Sequence, residues 1–227
     1  MPPVSVKLVI FDIAGTIIED HGEVIQAFAK SLMENGIPFV EDELKQWKGG
    51  SKREVIRHFV AKLNLKRGAE QKVESAYHHF RSELESYYSE KITPIPGAVD
   101  TFRWCKDRSI LLATTTGFYC EISDLILNQL GWREFFAANI SSTDVPQGRP
   151  APFMIFRAME ASRIQNVREV VSLGDTPLDL QSGSNAGVAG VVGVLTGAHG
   201  RESLERERHT HIINSVAELP KLIVREF

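Results

Sequence analysis

The chain has 227 residues, of which 26 are basic and 29 acidic, and 43% of its residues are hydrophobic. That apolar content can bury a substantial core, which excludes a disordered chain and a disulfide-stapled miniprotein. The formal net charge of −3 leaves no basic surface of the kind that binds nucleic acid or an anionic membrane. At roughly 150 residues per domain, the length indicates one domain that carries an insertion.

The first apolar stretch also bears on where the protein works. It runs from Val4 to Ile18 but is interrupted by Lys7 and Asp12, so it predicts neither a signal peptide nor a membrane span. The two cysteines, Cys105 and Cys120, are too few to staple a chain of this length and are interpreted as reduced thiols. We therefore predict a cytoplasmic protein.

Short β-rich runs alternate with helical patterns along most of the chain. The runs are Val6–Phe11, Ile110–Ala113, Ala138–Ser141, Val170–Leu173, Ala189–Leu195 and, more weakly, His211–Ile213. They lack polar alternation, which is typical of strands covered on both faces. Helical patterns between the later runs span residues 96–108, 121–130, 152–161 and 178–186. We predict an α/β fold with a doubly wound, Rossmann-like parallel sheet.

Residues 20–92 break this rhythm because they contain no convincing strand. The predicted elements are four helices, Glu23–Asn35, Glu41–Lys48, Lys52–Asn64 and Gly68–Lys91. We predict that residues 1–19 and 93–227 form the α/β core and that residues 20–92 form an inserted helical cap. The aromatic residues Tyr77, Phe80 and Tyr87 are expected to be exposed on the last of these helices, where they could form the seam of a homodimer.

Polar residues follow four of the predicted strands. They are Asp12, Thr116, Arg149, and the pair Asp175 and Asp179. In an open parallel sheet these positions converge on one edge, where ligands bind. Neighbouring carboxylates repel unless a cation neutralises them, and hard oxygen ligands favour Mg²⁺ over zinc. A carboxylate at such a site can attack phosphorus, and the glycine-rich turns at Gly15-Thr16 and Gly117 can bring backbone N–H groups to phosphoryl oxygens.

These four motifs together resemble the haloacid dehalogenase superfamily. The resemblance implies that Asp12 in VIFDIAGT is the nucleophile, that Thr116 and Arg149 hold the phosphoryl group, and that Asp175 and Asp179 in GDTPLD bind Mg²⁺ with Asp12 and the Ala14 carbonyl. It also implies a cap domain between the first two motifs, which matches the helical insertion. The implied partner is a small phosphorylated or phosphonate substrate.

Ala14 distinguishes branches of the superfamily, because phosphatases and phosphomutases usually carry an aspartate there. The form Asp-x-Ala-Gly-Thr resembles the phosphonoacetaldehyde hydrolase branch, as do TTGF, GRPAPF and the cap sequence GGSK. In that branch the lysine at the position of Lys52 forms a Schiff base with the substrate aldehyde, which requires the neutral amine. This chain departs from the branch at three positions, where it has Lys48, Val55 and Phe118.

Three alternatives stay open, of which the first follows from these departures. Lys52 could merely contact the substrate of a phosphatase or a phosphomutase-like enzyme. Asp12 could attack carbon in a metal-independent 2-haloacid dehalogenase, although the acids of GDTPLD would then have no use. The fold could also be catalytically silent and serve binding, since Ala14 removes the usual general acid.

Overall fold

The computed structural model describes residues 5–47 and 49–227. Six parallel strands form one sheet in the order β3-β2-β1-β4-β5-β6. Their bounds are β1 Leu8–Phe11, β2 Leu111–Thr116, β3 Ala138–Ser141, β4 Val170–Gly174, β5 Gly190–Val194 and β6 His211–Ile213. The predicted doubly wound parallel sheet is therefore confirmed. The strand order reverses at β1, which lies between β2 and β4, so a ligand is expected beyond the carboxyl end of β1.

Helices cover both faces of this sheet. The helices of the α/β part are α5 Ala98–Lys106, α6 Cys120–Gln129, α7 Phe153–Ala161, α8 Pro177–Ala186, α9 Arg201–Glu205 and α10 Leu219–Glu226. Alternate residues of β1 belong to two separate cores: Val9 and Phe11 pack on one face, whereas Leu8 and Ile10 pack on the other. All four are buried, which explains why this strand shows an unbroken apolar run.

The segment from residue 20 to 92 is helical, as predicted, and we call it the helical insertion. It contains α1 Glu23–Glu34, α2 Glu41–Gln46, α3 Lys52–Ala61 and α4 Ala69–Glu90. The prediction that α2 extends to Lys48 falls in part outside the described residues. Its two connections to the core lie side by side, because Glu19 N donates to Thr93 O at 2.8 Å and Ile95 N donates to Ile17 O at 2.9 Å. Its division from the core as a separate domain stays a prediction.

The aromatic side chains of α4 differ from the expectation of an exposed seam. Tyr77 and Phe80 are buried, and only Tyr87 is exposed, at 39%. Phe80 stacks on Phe28 of α1 with ring centroids 4.3 Å apart. The expected exposure of Tyr77 and Phe80 was wrong because Phe80 packs on Phe28 within the insertion and Tyr77 packs against Tyr119 of the core. The homodimer itself stays a prediction.

The helix α10 near the carboxyl terminus was not predicted, and two general expectations can be compared with the structure. Cys105 and Cys120 are both free thiols. None of the helices formed by the described residues is long and apolar enough to cross a membrane.

Candidate active site

The residues predicted at the strand ends converge at the carboxyl edge of the sheet. Asp12 follows β1, Thr116 is the last residue of β2, and Asp175 follows β4. The neighbours of β1 in the sheet are β2 and β4, so these three positions are adjacent. Each of the three residues is at least 94% buried. The four-motif prediction thus corresponds to a spatial cluster at the point where the strand order reverses.

Arg149 reaches the same cluster from the loop between β3 and α7. Its Nη1 atom lies 2.8 Å from Asp12 Oδ1 and 2.7 Å from Asp179 Oδ1. Its Nη2 atom donates to the backbone oxygen of Thr115 at 2.7 Å and to the Thr115 hydroxyl at 3.0 Å. The guanidinium is buried, so in this conformation it bridges two carboxylates and holds them together.

The electrostatics of Asp12 follow from its burial among charges. Burial and the neighbouring Asp179 carboxylate raise the pKa of Asp12 to about 7, against the opposing effect of Arg149. A buried carboxylate is costly unless charge or hydrogen bonds compensate it. The positive charge of Arg149 offsets only part of that cost, and a further cation at this cluster would offset the rest.

The carboxylates of Asp12, Asp175 and Asp179 form the cluster that fits such a cation. One oxygen from each lies within 4.8 Å of the others, and all three residues are buried. Oxygen donors of this kind match the preference of Mg²⁺. Both oxygens of Asp179 also contact the protein, because Oδ1 pairs with Arg149 and Oδ2 accepts hydrogen bonds from the backbone and hydroxyl of Thr176. Asp179 is therefore better placed to orient the other ligands of a cation than to bind the cation alone.

Two features of the chain hold these acids in place. Thr176 caps α8, and Thr176 and Asp179 bond reciprocally in a capping box. Glycines allow the close approach of Asp175, since a Cβ on Gly15 would lie 2.5 Å from its Oδ2 atom, and Gly15 has a φ of +83°. Asp175 Oδ2 accepts a hydrogen bond from Ala198 N at 2.9 Å. The sequence GDTPLD thus encodes both the helix start and the carboxylate positions.

A small cavity of about 20 Å³ opens directly on this cluster. Asp12, Thr116 and Asp175 line it from the core, and Asp20, Val24 and Lys52 line it from the helical insertion. The cavity is therefore formed jointly by the helical insertion and the α/β core.

Lys52 is the cation that the insertion contributes to this cavity. It is the first residue of α3 and is only 5% exposed. Its Nζ atom donates to Gly50 O at 3.2 Å and lies 5.1 Å from the centre of the Phe118 ring. The loop that carries it contacts the core closely, because a Cβ on Gly117 would lie 2.5 Å from Gly50 O.

Of the other residues predicted for the site, some line the cavity and others lie behind its lining. Ala14 and Gly117 line the cavity, whereas Gly15 and Thr16 are not in its lining. The Thr16 hydroxyl is buried and has no hydrogen-bond partner among the described residues. The hydroxyl of Thr116 accepts from Phe118 N at 3.1 Å, which leaves its own proton available for a ligand.

Sequence reasoning missed two residues that the insertion contributes, Asp20 and Val24. Asp20 lies eight positions after Asp12, just before α1, and no motif marks it. Its position in the sequence could have indicated Asp20. A polar residue in the short connection between β1 and the insertion lies close to the site whichever way α1 packs.

Comparison with known proteins decides the family. The model of the haloacid dehalogenase-like hydrolases matches residues 9–193. The chain belongs to this family. A phosphonoacetaldehyde hydrolase from Bacteroides fragilis is 28% identical over 256 residues, covering 96% of each chain. One from Latilactobacillus sakei is 32% identical over 196 residues, covering 81% of this chain and 74% of the relative.

A solved structure supports the same fold for this haloacid dehalogenase-like hydrolase. A phosphonoacetaldehyde hydrolase-like protein from Oleispira antarctica superposes with a TM-score of 0.83 at 22% identity, covering 98% of this chain and 92% of that one. The predicted family is confirmed, and the chain is an enzyme of the hydrolase class.

Proposed function

We propose that the protein is a Mg²⁺-dependent hydrolase of a small phosphonate or phosphate ester and that Asp12 carries the phosphoryl group between two half-reactions. The observation that supports this most is the shared cavity. It brings the buried Asp12 carboxylate, the Thr116 hydroxyl and the Lys52 ammonium to one small space. This reaction needs at least a nucleophile, a hydrogen-bond donor to the phosphoryl oxygens and a cation close to the leaving group.

The residues fit Mg²⁺ through their donor set. Asp12, Asp175 and the Ala14 carbonyl would bind the ion, and Asp179 would orient them, in line with its contacts to Arg149 and Thr176. Bound Mg²⁺ would supply Lewis-acid neutralisation of the phosphoryl charge. Arg149 holds Asp12 by a contact of 2.8 Å, which aims the carboxylate toward the cavity.

The chain's own residues would then act in order. An Asp12 oxygen attacks phosphorus, the bond from phosphorus to the leaving group breaks, and that group takes the bonding electrons. Thr116 donates a hydrogen bond from its hydroxyl to a phosphoryl oxygen, and backbone N–H groups near Gly117 would donate further ones. Water then attacks phosphorus, which returns Asp12 and releases phosphate.

Lys52 separates the two forms of this proposal. In the phosphonatase form, its neutral amine condenses with the substrate aldehyde and releases water, and the electrons of the broken carbon–phosphorus bond enter an enamine. Lys52 is only 5% exposed, so an imine formed on its amine would be shielded from bulk water. The relatives named phosphonoacetaldehyde hydrolase support this form.

A phosphate-ester hydrolase in which Lys52 only contacts the substrate is the second candidate. The residue three positions after Lys52 is the buried Val55, which cannot move a proton. Among the described residues, no histidine lines the cavity. Imine formation needs proton transfers, and the apolar side chain of Val55 supplies none, which favours a simple contact of Lys52 with the substrate.

The test is a screen of phosphonoacetaldehyde and small phosphate esters for phosphate release with Mg²⁺ and with EDTA. Sodium borohydride added during turnover of phosphonoacetaldehyde would leave a reduced adduct on Lys52 if the imine forms. Lys52→Arg keeps the charge but forms no imine, so it should lose phosphonoacetaldehyde turnover and retain ester turnover. No adduct would remove the phosphonatase form, and turnover that survives EDTA would contradict the metal requirement.

A further inference from the structure

The cavity holds one carboxylate to which the proposed function gives no task. Of the described residues, three carboxylates line it: Asp12, Asp175 and Asp20. Asp12 is the proposed nucleophile and Asp175 a proposed metal ligand. The position two residues after the nucleophile, Ala14, has no group that can carry a proton. Asp20 is thus the carboxylate of the cavity lining that remains for proton transfer.

We propose that Asp20 is the general acid and base of this hydrolase, supplied from the connection to the helical insertion in place of residue 14. This inference rests on the proposed function of the same site. In the first half-reaction, Asp20 gives its proton to the leaving oxygen as the bond to phosphorus breaks. In the second, its carboxylate takes a proton from the water that attacks the phosphoryl group on Asp12, which restores both residues.

The surroundings of Asp20 are those of a residue that can keep a proton. Glu23, in the first turn of α1, is 4% exposed. Burial and the neighbouring Asp20 carboxylate raise the pKa of Glu23. Two neighbouring carboxylates repel each other, which favours a state in which one of them keeps its proton.

A buried tyrosine gives a second, independent sign that a polar ligand belongs here. Tyr88, on the last turns of α4, is 1% exposed, and its hydroxyl has no hydrogen-bond partner among the described residues. Its ring packs against that of Phe118, a residue of the cavity lining, with ring centroids 5.6 Å apart. Buried hydroxyls are normally satisfied, so a water or a polar ligand group beside the cavity would complete the arrangement.

Asp20 also has a structural contact that the test must separate from catalysis. Its Oδ1 atom accepts a hydrogen bond from Gly22 N at 2.8 Å, just before α1 begins. Asp20→Asn retains an oxygen for this contact but cannot transfer a proton. The matched control is Glu19→Gln, because Glu19 is adjacent in sequence, pairs with His21 at 3.0 Å and does not line the cavity.

The experiment compares two probes that differ in their need for a proton. Ethyl phosphate releases an alkoxide and needs a general acid, whereas acetyl phosphate releases acetate and does not. For Asp20→Asn we expect turnover of ethyl phosphate to fall about 10²- to 10⁴-fold. With acetyl phosphate we expect a rapid burst of about one acetate per enzyme, followed by slow release of phosphate, because only the water step now lacks its base. Glu19→Gln should match the wild type.

Three results would overturn the proposal. Wild-type rates on both probes in Asp20→Asn would show that Asp20 moves no proton. An equal loss on both probes without a burst would show a merely structural role. Failure of the wild-type protein to hydrolyse either probe with Mg²⁺ would contradict the phosphate-ester form of the proposed function, on which this inference rests, and remove the inference with it.

Discussion

Gly117→Ala tests whether the site is completed by contact between the helical insertion and the core. The added Cβ would lie 2.5 Å from Gly50 O and 2.6 Å from Gly49 O, both backbone atoms of the loop before Lys52. Ordinary contact begins at 3.4 Å, so the loop would have to retreat by about 0.9 Å, since backbone atoms have no rotamer with which to avoid the clash. Gly117 does not have a positive φ, and alanine therefore adds no backbone strain there.

The size of the effect follows from that displacement. A misplacement of about 1 Å in catalytic groups can cost on the order of 10²-fold in rate, so kcat/KM for acetyl phosphate should fall by about that factor. The free energy of unfolding should change by no more than about 1 kcal/mol, because the loop can move away from the core. Activity is measured with Mg²⁺, and stability by urea unfolding.

Gly200→Ala is the matched control for this change. A Cβ on Gly200 would meet nothing within 4 Å, and its φ of −74° suits alanine. We expect wild-type activity and stability. A folded Gly117→Ala protein with wild-type kcat/KM would refute the reasoning, because catalysis would then not depend on the contact between Gly117 and the loop that carries Lys52.

Two further predictions concern groups whose pKa is displaced by burial. Burial raises the pKa of Asp12 from 3.8 to about 7, so the folded protein binds the proton of this carboxyl group more tightly than the unfolded chain does. The free energy of unfolding without Mg²⁺ should therefore fall as the pH rises from 3.8 to about 7. In thermal unfolding at pH 8, Asp12→Asn should therefore stabilise the metal-free protein by at most about 4 kcal/mol. The variant should also gain less stability from Mg²⁺ than the wild type does. A variant that is less stable than the metal-free wild type would contradict this. Burial raises the pKa of Cys105 to about 12 and that of Cys120 to about 11, so both thiols should react slowly with Ellman's reagent in the native protein and rapidly in urea, whereas fast native labelling would disprove this environment.

The sheet could be predicted well because its strands have an unmistakable pattern. The apolar run of β1 predicts burial on both faces, and the parallel sheet then fixes where its end must lie. Asp12, Thr116 and Asp175 could be placed together on that basis before any coordinates. The strand bounds shifted by a few residues at most, since the ends of β2 and β5 depend on neighbouring strands.

The contribution of the insertion could not be derived in the same way. Whether Tyr77 faces solvent or its neighbours depends on how α4 packs against α1, α3 and α6, which no periodicity encodes. Asp20 lies in a connection whose path is set by a β-bridge between Ile18 and Pro94, far apart in sequence. The contacts of Arg149 with Asp12 and Asp179 likewise depend on a loop conformation that a motif does not describe.

The central claim is that Asp12 carries the phosphoryl group. Rapid acid quench of the protein during turnover of acetyl phosphate with Mg²⁺, followed by peptide mass spectrometry, tests this most directly. We expect a phosphoryl adduct on Asp12 that forms and decays within the turnover time, and none in Asp12→Asn. Continued phosphate release by Asp12→Asn at the wild-type rate, or an adduct on another residue that forms and decays at the turnover rate, would contradict the account.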